Sequence, residues 1–236
     1  MNPMKFLAFD TSTERLSLAV GHGEAVWAES APGGAQSSAT LIPALLALLQ
    51  QANLRLDQLD AIVFGSGPGS FTGLRTACSV AQGLALGANL PVLPVSTLLA
   101  VAEEARHQHG ATRVLAALDA RMDEVYHAAF EWTSGAYPAW QAPADFSLGA
   151  PESLQLPAGW VLAGTAAQAY PGRVAGGDSA LNVLPTASAL LRLAPALWRA
   201  GHAVRADEAL PLYIRDKVAK TTLEREAEKA AKTTTP

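Results

Sequence analysis

The stretch Ala61–Gly87, AIVFGSGPGSFTGLRTACSVAQGLALG, decides the reading of the fold. Its first residues, Ala61–Gly65, are apolar throughout. A short run of that kind belongs to a strand buried on both faces, as in a parallel sheet. A loop of glycine, serine and proline follows, Ser66–Phe71. From about Thr72 to Leu86 the pattern is helical, with Gly87 as the expected stop. Strand, glycine loop and helix in this order make one unit of a parallel α/β sheet.

The pattern extends in both directions. Upstream, Lys5–Asp10, Arg15–Gly21 and Ala25–Ser30 read as strands joined by short turns, hence an antiparallel meander. A helix over Ser38–Asn53 follows, with Ser37 or Ser38 as its N-cap and Pro43 in its first turns. Downstream come an apolar strand at Val92–Val95 and a helix at Thr97–His109. The pattern then restarts. Arg113–Asp119 and Glu124–Glu131 form a hairpin, Tyr137–Pro157 reads as irregular, and Trp160–Gly164 is a strand. A short helix over Thr165–Ala169 and a strong one over Thr186–Gly201 complete it. The expected division is a first lobe over 1–110, a second over 111–185, a segment at 186–215 that packs back on both, and a polar, frayed tail from 216 to 236.

Composition sets limits on function. The chain has 236 residues, half of them apolar and 16% charged, which excludes intrinsic disorder. Lys and Arg number 17 against 21 Asp and Glu, a net charge of −4, which argues against a stand-alone nucleic-acid binder. Cys78 is the only cysteine, which fits a reducing compartment. No window has the apolar length of a membrane span or a secretory signal, so the expected location is the cytoplasm.

Two motifs could carry chemistry. Asp10, Thr11 and Ser12 follow the first strand, where a carboxylate and hydroxyls can face a phosphate or a metal-bound water; they can equally cap a turn. Gly67, Gly69 and Ser70 lie in the glycine loop at the start of a helix, where free N–H groups suit an anion; they can equally make a tight turn. The loop is neither a Walker A sequence nor a dinucleotide fingerprint. No metal site is expected, since His22, His107, His109, His127 and His202 form no ligand pattern. No catalytic residue is assigned: Ser66 and Ser70 lack a nucleophile-elbow context.

Two helices carry more apolar surface than one core needs. Leu41, Leu45, Leu48 and Ala52 suffice as a core stripe, which leaves Ile42, Leu46 and Leu49 over. In the second helix Arg75 is the only charge, and the small residues Thr76, Ser79, Gly83 and Gly87 share one side. These seven are the candidate partner interface; full burial within this chain is the alternative.

The motifs together resemble the TsaB (YeaZ) family. The matching segments are Phe9–Thr13, Gly67–Arg75 (GPGSFTGLR), Ala81–Ala85, Val95–Leu98, Ala117–Arg121 with Glu124–Tyr126, and Pro211–Arg215. The resemblance implies an actin-like (ASKHA) α/β fold of two lobes, each a mixed sheet with helices. It implies a non-catalytic dimerisation or scaffold subunit of the machinery that makes threonylcarbamoyladenosine beside the anticodon of tRNAs reading codons that begin with A. The implied partners are a TsaD-type transferase paralogue and a TsaE-type ATPase, with a homodimer as an alternative and tRNA met only through the complex. No tightly bound cofactor is implied; ATP or ADP belongs to the assembled complex. The paralogue's two metal-binding histidines align with Thr97 and Val101, which are unsuited to a metal. Many relatives have glycine at Asp123. The rival readings are a metal-dependent peptidase of the same superfamily and an independent actin-like ATPase.

Overall fold

The computed structural model describes residues 3–34, 37–134, 139–141 and 146–215. The tail from 216 onward lies outside them. The first sheet holds strands β1 (Lys5–Asp10), β2 (Arg15–His22), β3 (Ala25–Pro32), β4 (Ala61–Gly67) and β5 (Val92–Ser96) in the order β3-β2-β1-β4-β5. β1 pairs antiparallel with β2 and parallel with β4, so the meander feeds a parallel half.

The apolar runs have a direct explanation in the two-residue period of a strand. Phe6, Ala8, Ala61 and Val63 face one core, and Leu7, Phe9, Ile62 and Phe64 face another. Helices α1 (Ser37–Gln51) and α2 (Phe71–Ala88) cover the second face through Leu41, Leu45, Leu48, Ala77 and Ala81. Helix α3 (Thr97–His109) and α5 (Ala187–Arg199), the latter coming late in the chain, cover the first.

The second sheet contains β6 (Arg113–Arg121), β7 (Glu124–Thr133), β8 (Ala139–Gln141) and β10 (Val161–Gly164) in the order β10-β6-β7-β8, with β9 (Ser147–Gly149) also on β7. A hairpin, edge strands and then a parallel strand repeat the order of β1 to β4. This is the two-lobed actin-like arrangement; among the described residues both sheets have five strands, but the second is narrower because β8 and β9 share one edge of β7. The short helix α4 (Ala166–Ala169) packs on its far face.

Val114, Ala116 and Leu118 of β6 share one buried cluster with the first sheet, α3 and α5. The lobes are therefore joined at the back by a common core. A buried ionic network reinforces the joint. Glu103 and Glu104 on α3 are 1% and 3% exposed. Arg192 of α5 donates to both, at 2.9 Å and 2.8 Å. Arg106 and the indole N–H of Trp140 also donate to Glu103, and the Thr186 hydroxyl donates to Glu104.

Several expectations are corrected. Helix α1 starts at Ser37, so Ser37 and Ser38 are its first residues and the cap position falls outside the described residues. Pro43 lies inside α1 on its exposed side. Helix α2 stops at Asn89, not Gly87: Asn89 takes the left-handed conformation and its N–H reaches the Ala85 and Leu86 carbonyls. The segment 137–157 is not wholly irregular, because β8 and β9 find unpaired edge groups on β7. Such pairing leaves little trace in a three-residue strand.

Candidate functional site

The turn after β1 and the loop before α2 meet face to face. Asp10 is fully buried. Its Oδ1 accepts hydrogen bonds from the Ser12 N–H at 2.9 Å and the Ser12 hydroxyl at 2.7 Å. Its Oδ2 has no partner among the described residues. Burial pushes the carboxyl up to about 6, against the smaller lowering by the two Ser12 bonds. Oδ2 rests on Gly65, where a Cβ would stand 1.8 Å away. Glycine at 65 is what makes room for Asp10.

The glycine loop is filled by its own chain. A Cβ at Gly69 would meet the Ser12 carbonyl oxygen at 2.6 Å, and one at Gly73 the Thr11 carbonyl oxygen at 1.9 Å. The Thr11 hydroxyl donates to the Gly73 carbonyl at 2.6 Å. The Ser70 N–H is bound to the Ser12 carbonyl, the Leu74 N–H to the Ser70 carbonyl and the Gly73 N–H to the Ser70 hydroxyl. These donors already have partners, so the loop as built does not present them to a phosphate. Gly67 serves close approach too, its α-carbon lying against the Leu212 carbonyl. Gly73→Ala is expected to destabilise the protein by about 1–3 kcal/mol through overpacking against an immovable carbonyl. Denaturant titration of the variant measures it.

Between the lobes lies a cleft of about 690 Å³. Ser12, Gly69 and Ser70 line it from the first lobe; Leu118, Arg121 and Tyr126 line it from the second; Leu212–Arg215 line it as well. Asp10 and Thr11 stand behind this wall. At the second-lobe rim, Arg121, Met122 and Asp123 all have positive φ, at 61°, 56° and 59°. A glycine at 123 would adopt that shape without strain. Here the Asp123 carboxylate instead binds Arg173 at 2.7 Å.

The outer face of α1 and α2 is open. Ile42 is 41% exposed, Leu46 51% and Leu86 77%. Ser79, Gly83 and Gly87 are exposed, and a Cβ at Gly83 or Gly87 would meet nothing within 4 Å. Helix α2 is therefore not central to this chain's core, because its inward stripe is Leu74, Ala77, Cys78, Ala81 and Ala85 alone. Two expected interface residues sit differently. Leu49 is 3% exposed and belongs to the first-lobe core, since one turn of α1 separates it from Leu45 on the same side. Thr76 is half-buried, its hydroxyl donating to the Thr72 carbonyl of its own helix.

Thr97 and Val101 are both fully buried on α3, and the Thr97 hydroxyl donates to the Pro68 carbonyl. Both are engaged in holding the loop and core. Among the described residues, no group of three or more His, Cys, Asp or Glu is placed to hold a metal ion. No helix there is long and apolar enough to cross a membrane.

Sequence reasoning overlooked the Glu103–Glu104–Arg192 network, and it named Gly65 and Gly73 only as parts of the glycine loop, without their packing roles. For the glycines a signal existed: both interrupt an otherwise regular strand or helix beside a polar turn.

A family model described as TsaD, tRNA N6-adenosine threonylcarbamoyltransferase, matches residues 32–157. The tRNA threonylcarbamoyladenosine biosynthesis protein TsaB of Escherichia coli is 37% identical over 227 residues, covering 92% of this chain and 96% of that protein. The chain belongs to the TsaB family. The TsaB of Haemophilus influenzae is 35% identical over the same shares. The solved structure of YeaZ from Pseudomonas aeruginosa superposes with a TM-score of 0.82 at 39% identity, covering 89% of this chain and all of that one.

Proposed function

We propose that this TsaB-family chain acts in tRNA threonylcarbamoyladenosine synthesis as a non-catalytic scaffold that docks a TsaD-type transferase through the outer face of α1 and α2. The observation that carries the reading is that face. Helix α1 has no charged residue and α2 has only Arg75, yet both lie on the surface with Ile42, Leu46 and Leu86 exposed. A solvated helix normally carries charge on its outer side; a pair without it suits a partner. Gly83 and Gly87, with nothing beside them, allow a helix axis to approach near the close end of the usual 8–10 Å range.

Three further points support a scaffold over an independent enzyme. The positions aligned with the paralogue's metal ligands hold a buried threonine and a buried valine. The glycine loop is packed against its own turn. Asp10, the carboxylate of the first turn, is fully buried and bonded to Ser12 instead of lining the cleft. A TsaE-type ATPase and tRNA enter this proposal only as further members of the assembly, and any ATP or ADP as a ligand of that assembly.

Gly83→Leu tests the reading. Because the added side chain enters open space, the melting temperature should stay unchanged, while association with the transferase weakens at least about tenfold, or about 1.4 kcal/mol. Modification of tRNA in a mixture of the two proteins should fall in step. Unchanged association would defeat the assigned face, and transfer to tRNA by this chain alone would defeat the scaffold role.

A further inference from the structure

The last described segment, Leu210–Arg215, crosses from one lobe to the other, its residues Leu212–Arg215 lining the cleft and Ile214 packing on the shared core. On the first lobe it is pinned by its backbone: the Leu212 N–H donates to the Ser66 carbonyl at 2.7 Å. Tyr213 adds a ring contact with Phe71, centroids 5.4 Å apart, and its hydroxyl accepts from Arg75 at 3.1 Å. On the second lobe it ends in Arg215, whose side chain is only 14% exposed. Arg215 Nη2 donates to the Ala120 carbonyl at 3.0 Å and the Arg121 carbonyl at 3.4 Å, and pairs with Glu124. Its Nη1 lies 3.4 Å from the Met122 sulfur.

What Arg215 grips is a strained turn. Arg121, Met122 and Asp123 are non-glycine residues in the left-handed region, one after another. Each such residue is unfavourable, and a run of them persists only where its surroundings hold it. A two-residue hairpin turn with both residues left-handed prefers Asn-Gly, which this chain lacks.

The geometry points to a latch: Leu210–Arg215 bolts the β6–β7 tip to the glycine loop and thereby ties the two sides of the inter-lobe cleft together. Within its own lobe the tip is held by Arg173, which pairs with Asp123, and by the Tyr170 hydroxyl, which donates to the Glu124 carbonyl; Arg215 is what ties it to the first lobe. With Arg215 withdrawn, the tip relaxes its strain and loses that tie. This inference does not rest on the proposed partner face, which lies on α1 and α2.

Hydrogen exchange on the full chain tests it. Arg215→Ala should speed exchange of amides 120–126 by at least about tenfold while amides of β1 and β4 keep their rates, the mark of local opening. The double substitution Met122→Asn with Asp123→Gly gives the tip a turn that holds its own shape; because it also removes the Asp123–Arg173 pair, Arg173→Ala is measured beside it as the control for that loss. On that background Arg215→Ala should change the same amides by less than about threefold, because the strain it restrained is gone. This background also keeps the comparison readable should Arg215→Ala alone fold poorly. Unchanged exchange at 120–126, a uniform rise across the whole chain, or an equal effect on both backgrounds overturns the latch.

Discussion

Arg192→Ala is expected to cost about 3 kcal/mol of stability, because it leaves two buried carboxylates short of a cation. Glu103 keeps Arg106 and Trp140, and Glu104 keeps Thr186 and Gln108, so the loss stays below complete unfolding. For a chain of this length that is a fall of about 6–12 °C in melting temperature. The network also has a direction in pH. The bonds from Arg106, Trp140 and Arg192 hold the Glu103 carboxyl below its usual value despite desolvation, which opposes them. A depressed folded value contributes stability above the unfolded value, near 4.5, that is lost as pH falls through the folded one. Wild-type stability should therefore drop on acidification below about pH 4.5. Thermal melts of both proteins at neutral pH and near pH 4 provide the measurement; a shift within about 2 °C at neutral pH would show that the network is dispensable.

Asp10→Asn is expected to act in the opposite sense. Burial raises the Asp10 carboxyl from 3.8 to about 6, so the folded state binds its proton more tightly than the unfolded state. Its contribution is fully present below about pH 3.8 and is lost as pH rises toward 6. Above that the folded protein carries a buried, half-satisfied carboxylate whose cost is of the order of 2–3 kcal/mol. Asparagine can keep both Ser12 bonds at Oδ1 without the charge. It places an unpaired N–H beside Gly65, which offsets part of the gain. The net expectation is a variant about 1–2 kcal/mol more stable than wild type at pH 8, the advantage shrinking to nothing by pH 4. Urea titrations of both proteins across that range decide it, and parallel curves would show that Asp10 does not titrate in the folded state.

Much of the architecture was legible in the residues. The apolar runs at Phe6–Phe9 and Ala61–Phe64 read as strands covered on both faces, and the polar residues after Asp10 marked the first turn. The core stripe of α1 followed from helical spacing, and all four of its expected residues are buried. The surplus apolar surface of α1 and α2 was also visible, because charge was missing where a solvated helix needs it. Leu49 was misplaced since a broad apolar arc does not reveal where the core stops.

What only the tertiary structure decided are relations between residues far apart in the chain. The motif Gly67–Gly73 reads equally as a phosphate cradle or as a packing surface; only the fold shows that the carbonyls of Thr11 and Ser12 occupy the space at Gly73 and Gly69. Glu103 and Glu104 look like ordinary surface charges in an apolar helix until Arg192, brought in by α5, pairs with both. Arg215 shows its role only against the left-handed turn of residues 121–123. The physical reason is common to all three. Local patterns record how each segment divides between water and core, which is a matter of spacing along one element. Which buried polar group meets which partner depends on how separate elements are stacked, and that is settled only when the two sheets close on α3 and α5.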